Sequence, residues 1–445
     1  MYLQIQSIRK KVLIFSNFFL LKKRDVNNMV NNNSSLVTAL IEKGVKIPNP
    51  SSVEIGEEVD INLISSKDVV IHSGCKIFGK KTVIMSGVKL GRRSPVTIKN
   101  CQLGKNVELK GGYFEESTFL DSANMGDGAE VREGCLLEEE ANGAHTVGLK
   151  QTILFPFVTL GSIINFCDIL MAGGTNRRNH SEVGSSYIHF NYTANQDKAT
   201  ASLIGEVAHG VMLNQPPIFL GGQGGIVGPC QIGYSTVVAA GVTYRGDCPQ
   251  GHKLLMGITL QKDDMDFYPG LYWSVKRRVI NCIEYIANII AFKQWYLNVR
   301  SRFYQGSNME KLLYDGAIEK IEIIFNERVK RFKALAEKME KSIKLYKSVM
   351  GNKISEVLIK QKKELFENIQ EIEKSFKDCL LYSGDEEKRN EFLKSIDSKI
   401  EDTGPDYIRV IQNLDEDNLN VGTGWLLTIV EKTRNTILKY LPSFI

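Results

Sequence analysis

The sequence predicts two architectures in series: a parallel β-helix over residues 53–260, then an α-helical region over residues 261–445. Three observations carry this reading. From about Val53 to Leu255 aliphatic–glycine pairs recur, among them Leu90-Gly91, Met125-Gly126, Leu160-Gly161, Val183-Gly184 and Leu220-Gly221. The same stretch is rich in short β-branched runs, the texture of hexapeptide-repeat coils, where an aliphatic side chain fills a narrow bore and a turn residue follows at the corner. Beyond residue 261 the glycines thin out and apolar residues recur at helical spacing.

Residues 1–52 form a leader and lead-in. Arg9-Lys10-Lys11 precede "VLIFSNFFLL" (Val12 to Leu21), and Lys22-Lys23-Arg24 follow. The pattern is like the charged and apolar parts of a signal peptide. However, no small-residue cleavage pattern comes after it, and an apolar run of about ten residues is too short to span a bilayer. The polar tract "NNMVNNNSS" makes Met29 the expected start of translation, and weak membrane contact by residues 1–24 is the alternative.

Within the β-helix, successive aliphatic–glycine pairs from Leu90 to Ile204 stand 13 to 23 residues apart, so loops interrupt the coils. A β-sandwich with frequent turns is the competing fold, but long alternating strands joined by hairpin dipeptides are missing. The run "LGGQGGIVGP" (Leu220 to Pro229) lacks the lysine–hydroxyl ending of a phosphate loop and reads as a coil corner with close backbone approach.

In the helical region Val279, Ile283, Ile286, Ile290 and Leu297 fall on one helix face, after "DFYPGLYW" with Pro269 near the first turn. Ile318, Phe325, Phe332, Met339 and Tyr346 then recur every seven residues, with Ile321, Leu335 and Val349 on a neighbouring seam. Arg328 and Ser342 interrupt that seam, which predicts a helical hairpin or an imperfect coiled coil. The charged flanks are read as a solvated face. The final segment "TGWLLTIVEKTRNTILKYL" is expected to pack or to make oligomer contacts, and a basic membrane-surface face around Lys276-Arg277-Arg278 is the minor alternative.

Composition excludes some functions. A net charge of +5 from 56 basic and 51 acidic residues is too mild for a nucleic-acid binder. The eight cysteines are scattered with no C-x-x-C pair, which argues against a thiolate zinc site and fits a reducing cytoplasm. A zinc site drawn from His180, His189 and His209 is disfavoured by their spacing, and no metal is expected.

One stretch stands out chemically. "HFNYTANQDKAT" (His189 to Thr200) places an imidazole, two aromatics, amides, an acid and a lysine within a glycine-punctuated run. Together with its surroundings, "VGSSYIHFNYTANQDKATASLIGE" and "IFLGGQGGIVGPCQIGYSTVVAAGVTYRGD", it resembles the acetyltransferase domain of the bifunctional bacterial enzyme that makes UDP-N-acetylglucosamine. That enzyme is a glucosamine-1-phosphate N-acetyltransferase joined to an N-acetylglucosamine-1-phosphate uridyltransferase. The resemblance is close over about 70 residues and extends over the rest of the β-helix only in texture. It implies a left-handed parallel β-helix, a homotrimer with sites between subunits, acetyl-CoA as co-substrate and an amino-sugar phosphate or nucleotide sugar as ligand.

Carried over position by position, Asn191 and Tyr192 match a pair contributing to the acetyl-CoA and acceptor sites. The family lysine falls at Asp197 or, with a shift of one, at Lys198, a sugar-phosphate contact. Gly222 stands where the family has a cofactor-holding serine, so only a backbone role carries over. Ala240 matches the alanine lining the pantetheine groove. The family's catalytic histidine lies one coil earlier, where His180 is the candidate, at a shorter interval from Asn191. The helical region and the uridyltransferase half have no counterpart in the resemblance.

The chemistry of acetyl transfer to an amine fits these residue types. Imidazole is suited to take the amine proton, which makes His180 the first choice of base, His189 the second, and His145 a weaker third. Arg177 and Arg178 beside His180 can present guanidinium groups to a phosphate, or simply pair with Glu182 in a solvated loop. Two functions remain open: an acyl-CoA-dependent N-acetyltransferase, and a non-catalytic β-helix that binds a nucleotide sugar or scaffolds a nucleotidyltransferase, with the helical region as docking surface for a protein partner.

Overall fold

The computed structural model describes residues 33–257 and 266–445; the segment 1–24 and Met29 lie outside them. The first part is a parallel β-solenoid of about 11 turns. Short strands stack into three parallel ladders, one per face of a triangular prism. The first runs from Glu54–Ile55 to Thr243–Tyr244, the second from Val83–Ile84 to Gln231–Ile232, and the third from Val70–Ile71 to Leu254–Leu255. Two longer strands, Val147–Leu154 and Ile164–Met171, pass from the first ladder into the second without a break.

Aliphatic–glycine pairs build this shape. In the third ladder Leu90, Leu109, Met125, Leu160, Val183, Leu220 and Val238 are in register and buried in the bore. The residue after each turns the corner, where successive coils come close. A Cβ on Gly184 would lie 2.4 Å from the Gly222 nitrogen, and one on Gly221 would lie 2.4 Å from the Ala240 nitrogen. The "LGGQGGIVGP" run is therefore a coil corner. A helical segment over residues 33–43 precedes the first turn, burying Val37 and Leu40, and Lys46 already bridges to Val70 of the third ladder.

The helices pack on the second face. Helix Lys276–Asn298 buries Val279, Ile283, Ile286 and Ile290, but Leu297 is exposed, contrary to its place in the predicted stripe. Pro269 does not open this helix: Gly270 at φ +90° turns the chain, and the helix starts at Lys276. The following helix, Asn308–Glu337, is capped by Ser307, whose hydroxyl accepts from the Glu310 amide at 3.2 Å. Its seven-residue seam packs against the solenoid and other helices, and continues past a break into helix Met339–Met350. The final long helix, Glu416–Leu438, packs on Lys276–Asn298 and Glu386–Thr403 through Trp425 and its neighbours. Among the described residues no helix is long and apolar enough to cross a membrane.

Two clasps hold the helices to the second face. At its edge with the first face, the corner residues Asn100, Glu116, Gln151 and Asp168 all adopt positive φ, with Gly134 between them. Helix Asn308–Glu337 runs along this column. Gly316 sits against Gln102, Lys320 lies 3.8 Å from Glu116, Ile323 covers Gly134, and Arg328 reaches Gln151 and Asp168. From Gly316 to Arg328 the helix rises about 18 Å at 1.5 Å per residue. The four ladder steps from Gln102 through Thr118, Leu136 and Ile153 to Leu170 span about 19 Å at 4.8 Å per step. The match lets one straight helix meet five consecutive coils.

At the opposite edge Arg300 is wholly buried. Its Nη2 lies 2.5 Å from Glu139 Oε1, and Tyr407 lies 3.7 Å beneath the guanidinium. Beside it burial pushes the Glu138 carboxyl up to about 8, and Glu138 accepts from the Tyr296 hydroxyl at 2.7 Å. Removing one partner of a buried pair costs about 3–5 kcal/mol, so Arg300→Ala should lower unfolding free energy by about that amount in denaturant titrations. Folded Glu138 keeps a proton that the unfolded chain releases above its ordinary value of 4.5, so wild type should lose stability as pH rises toward 8. Glu138→Gln keeps the Tyr296 hydrogen bond and should flatten that slope in melting curves taken across the same range.

Candidate functional site

The chain from His189 to Thr200 leaves the first ladder and becomes the loop at the corner between the first and second faces. Strand Tyr187–Phe190 sets its phase: Tyr187 and His189 point into the bore, Ile188 and Phe190 outward. His189 is closed inside. Its Nδ1 lies 2.5 Å from the Cys167 carbonyl, which can only accept, so Nδ1 carries the proton. Nε2 therefore accepts from the Ser202 hydroxyl at 2.8 Å, whose oxygen in turn accepts from the Cys230 amide at 3.0 Å. Burial depresses the His189 pKa and keeps the ring neutral. With both nitrogens engaged, its present geometry is that of a group shaping the corner.

Beside it Asp168 organises the loop. One carboxylate oxygen pairs with Arg328 at 2.8 Å and the other accepts from the Asn191 side chain at 2.9 Å. Arg328 also donates to Gln151 at 2.9 Å and to the Lys198 carbonyl at 3.1 Å. The Asn191 amide is thus fixed by a carboxylate that a helix cation holds in place. Asp197 is buried, accepting from the hydroxyls of Thr193 and Tyr272, whereas Lys198 is exposed. Of the two positions open to the family lysine, Lys198 is the one whose side chain borders solvent.

These residues line a cavity of about 460 Å³ between the solenoid and helix Asn308–Glu337. His189, Asn191, Tyr192 and Lys198 are all on its wall, with cations Arg132, Lys150, Arg328 and Arg331. Five cationic side chains line it with two carboxylates, Asp168 and Glu327; Arg328 and Arg331 pair with these, and Lys150 pairs with Glu133 at 2.6 Å just outside the wall. Cys167 also borders it, but burial raises its thiol pKa, so it is no thiolate nucleophile.

The other predicted residues sit on the two remaining corners. His180 closes a small hairpin, Gly174–Asn176 with Asn179–His180, between the second and third ladders. Its side chain is 17% exposed; Nε2 stands 3.7 Å from Glu182, and buried Nδ1 has no partner. Arg177 folds back onto the solenoid, donating to the Glu140 and Phe157 carbonyls at 3.1 and 2.7 Å and to Thr159 at 3.0 Å. Arg178 is exposed. Gly222 and Ala240 stack at the corner between the third and first ladders, where exposed His145 also lies, three turns lower. None of His180, Arg177, Arg178, Gly222 or Ala240 lines the cavity at Asn191. His209 pairs with Glu206, and among the described residues no cluster suits a metal ion.

Sequence reading missed Asp168, Gln151 and Arg132 as members of this site. Arg328 was visible as a polar break in an apolar seam, a signal that it meets something other than another helix.

The described residues thus form a parallel β-solenoid with a cavity at the corner between its first and second faces. Among curated proteins the chain is similar to the "Bifunctional protein GlmU" of Thermotoga sp. (strain RQ2), 25% identical over 226 residues, which are 51% of this chain and 45% of that protein. It is likewise similar to the protein of that name from Carboxydothermus hydrogenoformans, 27% identical over 212 residues, 48% of this chain and 42% of the relative. No protein-family model matches. The chain spans less than half the length of these relatives, and the likeness is that of a GlmU-like acetyltransferase domain.

Because His189 stays neutral when folded, acid should weaken the protein. Below the ordinary histidine value of 6.5 the unfolded chain takes a proton that the folded one refuses, so stability should fall with pH there. Ser202→Ala strands Nε2 and the Cys230 amide and should cost about 1–3 kcal/mol, read as a lower denaturation midpoint.

Proposed function

We propose that this protein is an acyl-CoA-dependent N-acetyltransferase acting on an amino-sugar phosphate or nucleotide sugar. The observation that supports it most is the cationic cavity walled by Asn191, Tyr192 and Lys198, the residues matching the family's acceptor and cofactor positions. Lys198, Lys150 and Arg132 bind the substrate phosphate, and Asn191, anchored by Asp168, orients the acceptor. An imidazole takes a proton from the substrate ammonium. The freed amine attacks the thioester carbonyl to form the C–N bond. The tetrahedral intermediate collapses with cleavage of the C–S bond, and the second proton of the amine passes to the departing sulfur, giving the amide and the CoA thiol. His180, whose Nδ1 has no partner, is assigned that base; His189 holds the corner.

The three sets of residues occupy three different corners of one prism, so the reading requires neighbouring copies, with acetyl-CoA lying along the Gly222–Ala240 corner. Helices cover the second face, which leaves the first and third for self-association as a homotrimer. Phe219, Val237 and Leu254 form an exposed apolar row in register on the third face, suited to burial against another copy. Mass photometry of the wild type should give three copies, and Phe219→Asp with Val237→Lys should give one.

The catalytic test is CoA thiol release by the full chain with acetyl-CoA and a panel of amino-sugar phosphates. Release should depend on the acceptor, fall about 10²–10⁴-fold in His180→Ala, and need about tenfold more acceptor in Lys198→Ala. The closed His189 and the engaged Arg177 favour a second reading, a binding or scaffolding module. Thermal stabilisation by a sugar phosphate, without thiol release from any acceptor, would establish that reading instead.

A further inference from the structure

The loop after Tyr192 has a second side. Opposite the cationic cavity, a cavity of about 610 Å³ is walled by Phe190, Tyr192, Pro229, Arg245 and Arg278. An adjoining one of about 310 Å³ is walled by Tyr272 and Trp273. The two share Thr193, Ala194, Ser274 and Arg278. The first also shares Phe190 and Tyr192 with the cationic cavity, so the three lie end to end around the loop.

Arg278 stands where the two outer cavities meet. Its guanidinium lies over the Tyr272 ring, 5.4 Å from the centroid, and its Nε and Nη1 are buried without a hydrogen-bond partner. The near carboxylate, Asp197 Oδ2, is 3.9 Å from Nη1, beyond hydrogen-bond reach, and is taken by Tyr272 at 2.9 Å. Arg277 differs: it donates to Asp247 at 2.8 Å and to the Pro229 carbonyl at 2.5 Å, facing the solenoid. A guanidinium edge left unpaired beside a cavity costs free energy until an acceptor arrives, and a phosphate offers oxygens at the spacing of its fork. Tyr192 and Trp273 border the same space with 60% and 41% of their surfaces exposed. Exposed aromatic faces beside an arginine suit a flat base next to a phosphate. Asp266 lines the outer cavity and repels a phosphate there, which directs the phosphate toward Arg278 and Arg245.

We propose that these two cavities form one cleft for the nucleoside-phosphate end of a ligand, with Arg278 contacting the phosphate and Trp273 or Tyr192 stacking on the base. The rest of the ligand passes Tyr192 into the cationic cavity. Arg278 and Trp273 come from the helical region, which thereby contributes to ligand binding. The proposal deepens the transferase reading and rests on it for the ligand's direction, while the cleft itself stands on Arg278.

Calorimetry with the full chain tests it, using adenosine 3′,5′-bisphosphate, UDP and inorganic phosphate as probes. One nucleotide should bind at least tenfold tighter than phosphate: the adenosine compound if the source is a CoA, UDP if it is a nucleotide sugar. Arg278→Ala should weaken that binding tenfold or more. Trp273→Ala, at a partly exposed position, should weaken it about fivefold, with the melting temperature reporting separately the loss of its edge-to-face contact with Tyr346. Phosphate binding as tightly as either nucleotide, or nucleotide affinity unchanged in both variants, overturns the proposal. Nucleotide binding without thiol release would leave the cleft standing and remove the transferase; release with no loss on Arg278→Ala would do the reverse.

Discussion

The molecule depends on how one face of the solenoid is clasped by buried cations. At one edge of the second face, corner residues in the left-handed region aim side chains outward, and Lys320 and Arg328 meet Glu116, Gln151 and Asp168. At the other edge Arg300 meets Glu139 inside a ring of tyrosines. Non-glycine residues in that backbone region are strained, and glutamate and glutamine are unusual choices for it. Their presence is accounted for by what their side chains hold. Buried ion pairs contribute little net stability after desolvation, but they penalise any other register heavily. They therefore fix where the helix lies more than how firmly it is held.

The candidate site is a by-product of this clasp. Arg328 makes the structural pair with Asp168, and the same carboxylate fixes Asn191. The cavity wall is mostly solenoid, with Glu327, Arg328 and Arg331 added by the helix, so its charge balance belongs to both parts of the chain. A β-solenoid alone presents a ridged outer surface; here the helix encloses part of it and concentrates cations there.

Much of the fold could be read in the sequence because its rule is local. An aliphatic residue followed by glycine encodes one bore position and one corner, and Gly222 and Ala240 land on the corner that rule assigns. The site was legible only in part. Asn191, Tyr192 and Lys198 are local to one loop. The pairing of Arg328 with Asp168 joins residues 160 positions apart, and no spacing encodes it. His189 misled for another reason: Tyr187, Ile188, His189 and Phe190 are large on both faces, so the strand carries no in-or-out phase until its neighbours are known. "TNRRNH" suggested a phosphate loop, yet Arg177 is spent closing the hairpin onto three solenoid oxygens. The break at Ser342 has a similar origin: its hydroxyl accepts from the Tyr272 amide at 3.0 Å.

The long helix also works as a gauge. Four solenoid turns and twelve helical residues cover the same distance, so the two lengths are not independent. Losing one whole coil from the middle of the solenoid would preserve the bore and the ladders, yet shift every later corner by about 4.8 Å against the helix. Only a matching loss of about three helical residues restores the alignment, and three residues rotate the helix by about 60° short of a full turn. Arg328 would then be turned by about 60° from its present line to Asp168. The number of coils between Gln102 and Asp168 is thus set by a helix more than 140 residues further along the chain.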